Sequence, residues 1–148
     1  MTPDYKTGEQ ALDAAIRAYP WMDFHLVAYD EVSLIVRGTL DLSYGYQLQI
    51  EFGDVGYLDC PMTWRTATHA QVFSKVDPAT LRDDARERFF DGNGGEVFRF
   101  AVEGVHRPWF AHVVAARMRF FAAAHGEYLS WSDQAGAFDS RCRAWREG

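Results

Sequence analysis

Cysteine is scarce in this chain: Cys60 and Cys142 are its only two. They lack a C-x-x-C spacing and are too few for a disulfide scaffold, so reduced thiols and a fold that depends on its apolar core are expected. Long apolar runs are missing as well. The most apolar segment, residues 109 to 124, is interrupted by His112, Arg117 and Arg119, and falls short of the ~18 uninterrupted residues that a bilayer-spanning helix needs. The opening MTPDYKTGEQ has neither a basic stretch leading into an apolar one nor an arginine-rich, acid-poor pattern, so a cytoplasmic location and no membrane partner are expected. Lysine occurs only at positions 6 and 75 while arginine and alanine abound, a usage that GC-rich bacterial coding produces. Cofactor and metal signatures are also lacking. The glycines of DGNGG, residues 91 to 95, are followed by no lysine and do not have dinucleotide spacing, and His25, His69, His106, His112 and His125 contain no H-E-x-x-H. Neither a cofactor nor a metal is therefore expected.

Aromatics, by contrast, make up 16% of the 148 residues, enough to fill one well-packed core. A chain of this length forms a single domain that buries roughly two thirds of its extended surface. The spacing Thr7 to Gln10 suits a capping box, and Leu12, Ala15, Ile16 and Tyr19 then share a helical face until Pro20. Two strands are expected between Phe24 and Arg37, broken at Asp30-Glu31. Tyr46, Leu48, Ile50 and Phe52 alternate with Gln47, Gln49 and Glu51, which predicts a strand with one buried and one wet face. Gly53-Asp54 reads as a two-residue hairpin turn that sets Phe52 opposite Val55, Ile50 opposite Tyr57 and Leu48 opposite Asp59, with Pro61 ending the pairing.

Residues 68 to 76 alternate weakly and are expected to form another strand, and Trp64 and Thr66 are assigned to a connection before them. Asp77-Pro78 predicts a helix start, with Leu81, Ala85 and Phe89 as its apolar stripe. Phe98, Phe100 and Val102 mark a further strand. Residues 108 to 125 read as a strand pairing back across GVHRP, with a helix as the alternative. Ser132 begins a last helix carrying Ala135, Phe138, Cys142 and Trp145 on one face and arginines on the other. The expected fold is α+β: one domain over 1–148, a mainly antiparallel sheet with two or three helices packed against it.

Charge is unevenly distributed. Residues 23 to 59 hold seven carboxylates against Arg37 alone, a balance of −6 that equals the formal charge of the whole chain. If Asp30, Glu31, Glu51, Asp54 and Asp59 share a face, they would attract a basic protein partner and repel nucleic acid. The first expectation is therefore a noncatalytic interaction module, similar to immunity or antitoxin proteins in size and charge only. A second is a small-molecule-binding domain with an aromatic-lined pocket. A third is a hydrolase or isomerase using Asp59, Cys60 or His69. His106, Arg107 and Trp109 form a separate loop cluster that offers donors and an aromatic surface. Edge strands and the amphipathic C-terminal segment are compatible with a homodimer.

Overall fold

The computed structural model describes residues 3–30, 32–90, 95–107 and 109–131. After helix α1 (Glu9–Arg17) come strands β1 (Trp21–Tyr29), β2 (Ser33–Thr39), β3 (Leu48–Asp59), β4 (Thr63–Ala67) and β5 (Phe73–Val76), then a short 3₁₀ turn at Pro78–Thr80. Helix α2 (Asp83–Phe90) and strands β6 (Glu96–Val102) and β7 (Trp109–Ala122) follow. All seven strands join one antiparallel sheet in the order β4-β1-β2-β3-β7-β6-β5. The domain is α+β, with the sheet dominating. No helix among the described residues is long and apolar enough to cross a membrane. The last expected helix, from Ser132, lies outside the described residues, as do Glu31 and Cys142.

The sheet curls into a half-barrel. β4 and β6 stand far apart in the strand order, yet the Glu103 N–H donates to Arg65 O at 2.8 Å and the Thr66 hydroxyl donates to Ala101 O at 2.5 Å. The curl wraps one face around the core. Phe24, Phe52, Phe73, Phe98 and Phe100 are each 1% exposed or less and stack within 4.9–6.4 Å of one another. Such ring pairs contribute about 0.5–1.5 kcal/mol each beyond their buried area.

α1 closes this core with Leu12 and Ile16. It is tied down by the buried Asp13, whose carboxylate accepts from the Val72 and Phe73 N–H groups at 2.8 and 2.9 Å, at the start of β5. The capping box expected from Thr7 is not made: the helix is capped by Gly8, at φ 99, with no side-chain bond. α2 packs on the other side of the sheet, where Phe89, Val97, Val114 and Val76 form a second cluster. Neighbours Val97 and Phe98 belong to opposite clusters, so the helices cover opposite faces rather than one. The helix start read at Asp77 is real but short. Asp77 accepts from the Ala79 N–H, the 3₁₀ turn ends at Leu81, which is extended, and α2 begins at Asp83.

The largest departure from expectation is at Gly53-Asp54. There is no hairpin. β3 runs unbroken from Leu48 to Asp59 and pairs along its whole length with β7, which puts Leu48 opposite Ala122, Val55 opposite Ala115 and Asp59 opposite His112. Asp54 takes φ 54, and a register shift follows between Val55 and Tyr57. Positive φ suits a β-bulge as well as a tight turn, and a long partner strand decides between them. The bulge changes which face each side chain meets: Phe52 and Val55, an odd number of residues apart, both pack into the core.

Trp64 and Thr66 belong to β4, not to a connection, and both are buried. The strand expected over 68 to 76 shrinks to Phe73–Val76. Residues 109–122 form a strand, as expected, and β6 and β7 pair as a hairpin with Val102 opposite Trp109.

Candidate functional site

The residues expected to carry an acidic docking surface are placed very differently from one another. Asp30 is turned inward on its own loop, its carboxylate accepting from the Val32 and Ser33 N–H groups at 2.7 and 2.8 Å. Glu51 is 2% exposed, which corrects the expectation of a wet face. Its carboxylate accepts from Tyr5 at 2.8 Å, from Gln49 at 2.9 Å and from Arg119 at 3.0 and 3.2 Å, while Arg37 donates to Gln49 at 2.8 Å. This face is dry because aromatic side chains lie over it: Tyr5 sits on the Arg119 guanidinium at 4.0 Å, and Tyr46 and Trp131 on that of Arg37 at 4.2 and 5.3 Å. Asp54 pairs with Arg117 at 3.0 Å and Asp23 with Arg65 at 2.7 Å. Arginines far away in sequence thus neutralise much of the acidic block.

Asp59 is exposed at the end of β3 and faces His112 and, beyond it, Arg99 and Ser74 across neighbouring strands. Sequence reasoning had set it opposite Leu48 on an apolar face. Burial against Phe89, 5.0 Å ring to ring, lowers the His112 pKa, with the Asp59 charge opposing and Arg99 and Arg88 adding to the shift. Cys60 is pushed up to about 11 by burial and by the Asp59 charge, so its thiol is protonated at neutral pH and is a weak nucleophile. His69 lies in the β4–β5 connection, and no hydrogen bond joins it to Cys60 among the described residues. Among the described residues no three metal-binding side chains gather.

What the curl of the sheet does create is a cleft. It opens where the β4–β5 connection faces the β6–β7 hairpin, and its volume is about 370 Å³. Ala67, Ala70, Ala101, Val102 and Phe110 supply apolar walls, and Thr66, His69, Gln71 and Glu103 the polar groups. Thr66 is committed to Ala101 O. The side chains of His69 and Glu103 form no hydrogen bond or ion pair among the described residues and stand exposed at the rim. Arg65, whose pKa is raised mainly by Asp23 and in smaller part by the Glu103 charge, is held by Asp23 through bonds of 2.7 and 3.1 Å.

The loop cluster lies next to this cleft. Gly104 and Phe110 line it, and Val105, His106, Arg107 and Trp109, between them in sequence, are exposed, Val105 to 95%. Gly104 is required there, because a Cβ would lie 2.0 Å from the Arg107 carbonyl oxygen. Phe110 is steadied by the Arg99 guanidinium, 4.2 Å from its ring centre. Of the cleft residues, sequence reasoning singled out only His69, although GVHRPW begins one residue after Glu103. The missing signal was the approach of β4 to β6, which no local pattern encodes. Comparison with family models, with curated proteins and with solved structures finds no match for this chain.

Proposed function

We propose that the domain binds a small organic molecule in the cleft between the β4–β5 connection and the β6–β7 hairpin. The observation that carries this reading is the combination of apolar walls with rim groups, His69 and Glu103, whose side chains make no hydrogen bond or ion pair among the described residues. Ligand sites are concave, mostly apolar, about 300–1,000 Å³ in volume and furnished with a few convergent polar groups; at about 370 Å³ the cleft falls within that range. Docking of a basic protein on the acidic hairpins has less to draw on, since Asp23, Glu51 and Asp54 already have arginine partners. Catalysis through Cys60 is disfavoured by its raised pKa.

Thermal melting against a panel of metabolites tests the proposal. A ligand at about one hundred times its dissociation constant adds about 2.7 kcal/mol of stability. Ala70→Trp, at an exposed wall position, fills the cleft and abolishes that gain while leaving the unliganded melt close to that of the parent. A stabilising ligand that binds the Trp variant as well as the parent would show that the cleft is not its site.

A further inference from the structure

We infer that the ligand of this cleft is an organic ammonium compound, an apolar or aromatic body bearing one positive charge, and that Glu103 is its counter-ion. The inference rests on the cleft reading and deepens it. Among the described residues lining the cleft, Glu103 is the only one with an Asp, Glu, Lys or Arg side chain. Carboxylates along the strands of this domain are mostly answered by an arginine: Asp23 by Arg65, Glu51 by Arg119, Asp54 by Arg117. Glu103 departs from that pattern. Its backbone N–H is fixed to Arg65 O at 2.8 Å, which pins the residue to the mouth of the cleft, yet its carboxylate has no ion pair among the described residues. The adjacent Arg65 guanidinium feels the Glu103 charge but is held on Asp23 by two bonds.

A fixed negative charge at the rim of an apolar hollow attracts cations and repels carboxylates and phosphates. The other polar groups agree with this choice. Gln71 and His69 can accept hydrogen bonds from an ammonium group through the amide oxygen and the free ring nitrogen. Phe110, Val102 and the three alanines match a flat hydrocarbon body rather than a polyol.

Three probes that share a phenylethyl body separate the possibilities when titrated calorimetrically into the full chain: 2-phenylethylamine, 2-phenylethanol and 3-phenylpropionate. The amine is expected to bind about fivefold more tightly than the alcohol, the advantage of a partly exposed charge pair, with the propionate weakest. Glu103→Gln is expected to bring the amine down to the level of the alcohol and to leave the alcohol unchanged. In about 0.5 M salt the preference of the parent shrinks, because rim charges are screened. Equal binding of amine and alcohol, or a preference that survives Glu103→Gln, overturns the ammonium assignment and leaves the cleft standing. No binding by any probe, or binding that persists in Ala70→Trp, overturns the cleft together with it.

Discussion

Glu51 shows how a single side chain can be read correctly for its pattern and wrongly for its surroundings. Its alternation with Ile50 and Phe52 places it on the other face of β3 from the core, and it is there. What the pattern omits is that Tyr5 and Arg119 converge on it from other parts of the chain, beside Gln49 of its own strand. Removing one partner of a buried, hydrogen-bonded charge pair leaves the other uncompensated, at a cost of about 3–5 kcal/mol. Arg119 keeps 21% of its side-chain exposure, so the low end applies: Glu51→Ala is expected to lower stability by about 3 kcal/mol. Glu51→Gln, which keeps an acceptor, is expected to cost less. In urea titrations this appears as a lower midpoint with an unchanged slope; a loss under about 0.5 kcal/mol, the range of ordinary surface substitutions, would mean that the network is not structural.

At the scale of elements, strands were more legible than turns. Alternation in 24–37, 46–52, 98–102 and 108–125 locates five of the seven described strands, β3 only in its first half, because each run is long enough for its period to show. β4 and β5 are four or five residues long, too short for a period to emerge. Gly53-Asp54 was misread for another reason: positive φ is a local property, whereas hairpin or bulge is decided by the strand alongside. A non-glycine residue at φ 54 sits in the left-handed region, which Asp and Asn tolerate and β-branched residues do not. Asp54→Gly should therefore change stability by less than about 0.5 kcal/mol, since it relaxes the backbone but loses an exposed pair with Arg117. Asp54→Val should cost about 2 kcal/mol. Equal stabilities for the two variants, measured by denaturant midpoint, would show that the bulge imposes no backbone strain.

The whole molecule depends on pairings between distant segments, and this is where sequence reasoning had least to work with. The central pair, β3 with β7, brings Leu48 to Ala122 and Asp59 to His112, and the cleft exists only once β4 has met β6. Loop-closure entropy must be overcome before such contacts repay it, so folding is expected in milliseconds to seconds rather than microseconds. Stopped-flow tryptophan fluorescence measures this directly, and a single microsecond phase carrying the full native amplitude would contradict it. The same closure has an outcome for behaviour in a crowded solution. With β4 bonded to the loop after β6, and β5 only four residues long beside α1 with Lys75 bridging Glu9 and Glu96, both borders of the sheet are guarded. A foreign peptide in extended form finds little ladder to continue, which makes fibrous self-association and strand capture poor routes for this protein.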